Sequence, residues 1–242
     1  IKKYIDFTND QAHMAEMGLE VLIGISRFWA QRVSYSSHLK QYVILGVTGP
    51  NEYENNVDNN WYTNYSARWC LRYTKQALEK MSAEDPKNYQ RIYPKTNFNL
   101  KEIEQWEKII ESMYLPYSEK LGIFLQQDGF LNKELIPANE ISKEHRPINQ
   151  NWSWDRILRS PYIKQADLLQ GFHFFENDFS KEELKKHFDF YETYTVHESS
   201  LSPCIHCIES VRLGYLDRAH DYFLQTARLD LNDYNKAVHE GF

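Results

Sequence analysis

Cysteine is scarce, with three residues in 242, too few for the disulfide framework that staples small secreted domains. There is no run of basic residues and the net charge is −6, which argues against nucleic acid or an anionic membrane as a partner. No apolar stretch approaches the length a bilayer requires, so no membrane contact is expected. No signal peptide is visible, and a cytoplasmic location is expected. Because the first residue is Ile1 rather than Met, the sequence reads as internal to a longer protein. Internal repeats, low-complexity tracts and convincing domain boundaries are also lacking.

What is present is an ordinary globular share of hydrophobic residues, 42%, which excludes disorder. Aromatics reach 15%, compatible with carbohydrate binding and equally with a large core. Cys204 and Cys207 bracket His206 in a Cys-x-x-Cys. A metal site would need further ligands at matching spacing, and a redox motif would need a βαβ setting. The pair lies in an apolar helical stretch and reads as buried, reduced thiols. No metal and no cofactor are expected.

Helical periodicity dominates the chain. Residues 10 to 33 carry a wide apolar stripe, including Met14, Met17, Val21, Leu22, Ile25 and Phe28, behind a capping Asp10. Its width predicts contact on more than one side. Tyr42-Val43-Ile44-Leu45 is too short to classify. A helix is predicted from about Trp61 to Met81, capped by Asn59 or Asn60. Asp85-Pro86 and Tyr93-Pro94 predict a loop. A third helix starts at Asn99, which has capping-box spacing to Glu102.

Residues 114 to 155 read as mostly irregular, with a short extended piece within Leu121–Gly129. The connection through Pro137 and Pro147 has the length of a lid or functional loop. Ser180 and Glu183 form a second capping box, for a helix ending near Tyr191. Ser202 and Pro203 give a cap and a first-position proline, with Gly214 as the stop. A last helix covers about Leu216 to Leu229, followed by a turn-rich exit from Asp230 to Asn235. The predicted fold class is all-α.

The stretch with the most chemistry is Gly46 to Asn64. Thr48-Gly49-Pro50-Asn51 is turn vocabulary: Gly49 permits backbone angles closed to other residues and Pro50 fixes its φ. Glu52 follows at once, with amides, aromatics and further acids around it. A carboxyl on a stiff, aromatic-lined loop suits proton donation to a bound polyol. The same residues also describe a solvated acidic loop between helices.

Val47–Asn64 resembles the general-acid loop of the inverting disaccharide phosphorylases of glycoside hydrolase family 65. The resemblance returns in the family's order at Arg146–Asp155, Tyr162–Asp167, Thr195–Pro203 and Thr226–Asp230, and covers nearly the whole chain. It implies roughly the second half of an (α/α)6 barrel with long active-site loops, so that residues 1 to 242 form a partial catalytic domain truncated at both ends. A second phosphate-binding segment would begin just after Phe242. A Trp-Asp pair that binds the transferred glucose, and an N-terminal β-sandwich, would lie upstream. The isolated piece is therefore expected to be inactive.

The implied reaction is phosphate-dependent cleavage of maltose to β-glucose 1-phosphate and glucose, with inversion. Trehalose, kojibiose and nigerose remain open as sister substrates. Phosphate is a co-substrate that is already an anionic nucleophile, so one general acid suffices and no base is needed. By resemblance Glu52 is that acid, with Glu54 as its rival. It would have to keep its proton at neutral pH, which asks for burial or for anionic neighbours such as Glu54 and Asp58.

Lys164 and Gln165 would hold the glucosyl hydroxyls, although Lys164 alone also reads as a surface lysine. Ser199 and Ser200 would grip phosphate ahead of a Pro-started helix, or simply cap and turn. His197 reads equally as a site residue or a packed histidine. Glu198 should turn away from the anion, and Trp152, Trp154 and Asp155 are candidate lining residues. The full-length protein is expected to be a homodimer that binds disaccharide and inorganic phosphate. The competing readings are a water-using glucosidase of related fold and a non-catalytic helical sugar-binding module.

Overall fold

The computed structural model describes residues 1–233. They are mainly helical, as expected, with two short β-hairpins. The chain divides into two units: residues 1–45 with 64–114, and 46–63 with the residues from 115 on. Among the described residues no helix is long and apolar enough to cross a membrane.

The first unit begins with α1 (Lys2–Thr8) and α2 (Gln11–His13). Asp10 caps α2 as expected, accepting from the His13 amide at 2.9 Å. The single helix predicted over 10 to 33 is interrupted by a π turn, Met14–Gly18, before α3 (Leu19–Arg32). Leu19, Leu22 and Ile23 are buried, while Met17, Val21, Ile25 and Phe28 of the same stripe are exposed. The short apolar run resolves as a strand: β1 (Ser34–Ser36) pairs antiparallel with β2 (Gln41–Val43).

Helix α4 runs from Trp61 to Glu84. Its cap is Asn60, whose Oδ1 accepts from the Thr63 amide at 2.9 Å. The loop expected around Pro86 and Pro94 is instead α5 (Pro86–Thr96). Asp85 caps it, Pro86 occupies the first turn where no amide hydrogen is needed, and Pro94 falls only three residues before the left-handed Asn97 that ends it. α6 (Leu100–Ser112) carries the predicted capping box. Glu102 also receives Arg27 through two bonds of 2.7 and 2.9 Å, so the cap doubles as a tie to α3.

In the second unit β3 (Tyr117–Ser118) pairs with β4 (Ile123–Phe124), inside the piece expected to be extended. The predicted long irregular connection contains three 3-10 turns, then α7 (Ile148–Asn151) and α8 (Trp154–Arg159). α9 (Leu168–Phe174) and α10 (Lys181–Glu192) follow, the latter with its Ser180–Glu183 capping box. Trp61 is fully buried among Phe124, Phe172 and Phe179, and this aromatic cluster anchors the start of α4.

α11 (Ser202–Leu213) starts one residue off the expected frame. Leu201 is the cap and Ser202 lies inside the helix, because the Ser202 hydroxyl is engaged by His197 Nδ1 at 2.9 Å. Gly214 ends it at φ 83°, the left-handed position glycine favours. α12 (Leu216–Ala227) and α13 (Leu229–Asn232) follow, so the expected turn-rich exit is partly helical; residues 234 and 235 lie outside the described residues. Cys204 is exposed and Cys207 half-buried, contrary to the burial expected for both.

Candidate active site

Blocks far apart in sequence meet in the second unit. The Tyr162–Asp167 and Thr195–Pro203 segments run alongside each other at a parallel bridge between Ile163 and Thr195. The Val196 amide donates to Ile163 O at 2.9 Å and the Ile163 amide to Tyr194 O at 3.0 Å. Beneath lies a core of Tyr53, Ala138, Ile148, Ile157, Tyr162 and Val196.

The loop from Gly49 docks on this pair through Asn51, which is fully buried. Asn51 Oδ1 accepts from the Lys164 amide at 2.9 Å and the Tyr53 amide at 3.2 Å. The Asn51 amide donates to Asp167 Oδ2 at 2.9 Å, and Asn60 Nδ2 donates to Asp167 Oδ1 at 2.9 Å. Gly49 does not use a left-handed backbone, as the sequence reading supposed. It is required for closeness: a Cβ there would run into Asn60 Nδ2 and Asp167 Oδ2. Asp167 is itself buried, and burial pushes its carboxyl up to about 6 against the pull of both donors.

Glu52 and Lys164 are brought together as an ion pair. The environment expected for Glu52 is not the one found: its side chain is 59% exposed and its partner is a cation. Glu54 is not beside it as an anionic neighbour but is buried on Lys133. Lys133 also donates to Leu158 O at 3.1 Å and Ser160 O at 2.9 Å. Burial pushes that ammonium down to about 8. Gln165 is buried next to Lys164, and its Oε1 has no hydrogen-bond partner among the described residues.

Tyr53 links the acid loop to the serine block. Its hydroxyl donates to Glu198 at 2.6 Å. Glu198 is buried and also receives the Ile148 amide, at 3.0 and 3.1 Å, and Arg146 at 3.4 Å. Its carboxylate is thus committed to interior donors. Ser199 is half-buried and Ser200 exposed. Ser199 Oγ accepts from the Leu201 amide at 3.3 Å, a turn bond.

His197 holds a left-handed φ of 54°. Its ring lies 4.5 Å from His206 and 5.0 Å from Tyr222. Burial, then the neighbouring His206 and Arg146, push its pKa well down, so it is a neutral imidazole packed on Ser202, His206 and Tyr222. Of the lining candidates, Trp154 meets Tyr53 edge-on at 6.3 Å. Trp152 is covered by the Arg156 guanidinium at 3.7 Å and faces a separate cavity of about 350 Å³ with His145 and Tyr162. Asp155 points outward onto Arg159.

Sequence reasoning assigned no role to Asp167 or Lys133. The signal for Asp167 was slight: an acid set between Ala166 and the apolar pair Leu168–Leu169. Lys133 carries no local signal, since its partner Glu54 is 79 residues away.

Over residues 1–242 the chain matches the model of the glycosyl hydrolase family 65 central catalytic domain. It is 50% identical to the maltose phosphorylase of Bacillus subtilis (strain 168) and 42% identical to the alpha,alpha-trehalose phosphorylase of Thermoanaerobacter brockii, in each case over 100% of this chain and 31% of the relative. A solved structure described as "Putative kojibiose phosphorylase from human microbiome" superposes with a TM-score of 0.88 at 33% identity, over 99% of this chain and 33% of that one. The chain therefore spans about a third of the length of the relatives it matches. The breadth of these matches, together with the sequence blocks that converge around Glu52, establishes that the chain belongs to glycosyl hydrolase family 65 and corresponds to its central catalytic domain.

Proposed function

We propose that this chain is the central catalytic part of a longer inverting disaccharide phosphorylase, with maltose as substrate and phosphate as nucleophile. The observation that carries the reading is the pairing of Glu52 with Lys164 beside a buried Gln165 whose carbonyl oxygen has no partner among the described residues. On this reading Glu52 is the acid, and Lys164 with the adjacent Gln165 offers groups suited to sugar hydroxyls. The higher identity to a maltose phosphorylase than to a trehalose phosphorylase supports maltose.

Glu52, protonated once Lys164 lets it go, gives that proton to the sugar oxygen as the bond from this oxygen to the anomeric carbon breaks. Lys164, which holds Glu52 in the free chain, turns to the hydroxyls of the bound glucosyl unit and frees the carboxyl for the glycosidic oxygen. Gln165 accepts a hydrogen bond from a sugar hydroxyl at its Oε1, unpartnered among the described residues. Ser199 and Ser200 donate to phosphate, which attacks the anomeric carbon from the opposite face. No carboxylate of the serine block serves as a base, because Glu198 is already spent on Tyr53, Ile148 and Arg146.

The test is to assay the full-length protein carrying this chain on maltose, trehalose, kojibiose and nigerose, with and without phosphate. Phosphate-dependent release of β-glucose 1-phosphate from maltose is expected. Brisk cleavage without phosphate would establish a hydrolase instead.

A further inference from the structure

We propose that Asp167 is a positioning residue of this site: it locks the Glu52 loop to the Lys164–Gln165 segment so that acid and sugar-binding groups form one preset arrangement. This deepens the phosphorylase reading and rests on it.

Both carboxylate oxygens are used, and their donors flank Glu52 on either side. One is the Asn51 amide, immediately before Glu52, at 2.9 Å. The other is Asn60 Nδ2, at the start of α4, also at 2.9 Å. Asn51 closes the ring by accepting from the Lys164 amide three residues before Asp167. The three side chains are 0 to 2% exposed, so no water competes for these bonds. Gly49 fits against both Asp167 and Asn60 with no room for a Cβ, which leaves the loop a single seat. A carboxylate is expensive to keep in so dry a place. What it supplies is two acceptors aimed at two ends of one loop, which a neutral amide cannot match.

That geometry sets the experiment, done in the full-length protein. In Asp167→Asn the introduced amide must present a donor either to the Asn51 amide or to Asn60 Nδ2. kcat should fall about 100-fold while KM for the disaccharide moves by less than about threefold, since the loss is one of alignment rather than of sugar contacts. Adding Asn60→Asp places an acceptor opposite the amide. It keeps the cap on Thr63 and gives up only the longer contact to Gln126 O, 3.3 Å. The double variant should recover at least about tenfold of the lost kcat.

Amide hydrogen exchange over residues 49–60 is the second readout. It should quicken in Asp167→Asn and slow again in the double variant. A single variant within about threefold of wild type would overturn the proposal. So would a double variant that stays inactive, or that fails to fold where the single variant also fails. Phosphate-independent turnover by the wild type would sink the phosphorylase reading alone, leaving the exchange result to judge the lock.

Discussion

The loop that carries Glu52 and the segment that carries Ser199 and Ser200 rest on the same small core but are held in different ways. The acid loop is pinned by side chains: Asn51, Asn60 and Asp167 are buried and bonded to one another or to the Lys164 backbone. The serine segment is pinned by what lies below it. Val196 and Glu198 are buried, His197 packs on His206 and Ser202, and of the two serines Ser199 is half-buried in a turn and Ser200 is exposed. On the proposed reading the contrast has a use: Glu52 as proton donor must be aimed, whereas Ser199 and Ser200 need only reach an incoming anion.

The largest expected effect falls on the aimed side. Glu52→Gln in the full-length protein should lower phosphorolysis about 100-fold or more with disaccharide affinity retained. Steady-state kinetics check this, and a dead Glu54→Gln beside a near-normal Glu52→Gln would reverse the assignment. Next comes Gly49→Ala, which forces a methyl between Asn60 and Asp167 and should lower unfolding stability by about 1–3 kcal/mol. A denaturant curve indistinguishable from wild type would show that the loop is not seated as described.

On the other side, Ser199→Ala with Ser200→Ala should raise KM for phosphate about tenfold, leave that for maltose nearly unchanged, and barely alter the melting temperature. Equal losses for both substrates would make the segment structural and erase the contrast. The last effect is electrostatic and shows only as a dependence on pH. The folded-state value for Asp167, about 6, lies above its ordinary 3.8. Its protonation therefore stabilises the fold fully below pH 3.8, and that contribution is lost as pH rises through 6. Compared with wild type, Asp167→Asn should gain relative stability across that window at no more than about 1.4 kcal/mol per pH unit. Melting curves of both proteins from pH 4 to 7 measure it, and parallel curves would mean that Asp167 does not titrate there.

Much of the local structure was legible because its signals are local. The Asn99–Glu102 and Ser180–Glu183 boxes, the Asn60 cap and the Gly214 stop each lie within a few residues of what they control. α5 was missed for the opposite reason: its two prolines read as breakers, and only the capped first turn and the position of Pro94 near the end make them tolerable. In the site, the blocks were legible by resemblance, and Glu52 does pair with Lys164, which Gln165 follows in the chain. The lock beneath them was not, because Asp167 meets partners 107 and 116 residues away and no periodicity encodes such a pairing. The expected surroundings of Glu52 failed because Glu54, two positions on, turns inward to Lys133.

Glu198 gathers Tyr53 from the acid loop, Ile148 and Arg146 from the long connection, and carries the serine segment on its own backbone. These stretches are consequently not free to drift apart in mutational history. A change at Tyr53 alters what Glu198 must do for Ile148, so the cost of a second substitution depends on which came first. Tyr53→Phe and Glu198→Gln should together cost less than their separate costs added. Substitutions around this one buried carboxylate are therefore expected to be non-additive, as double-variant denaturation curves would measure.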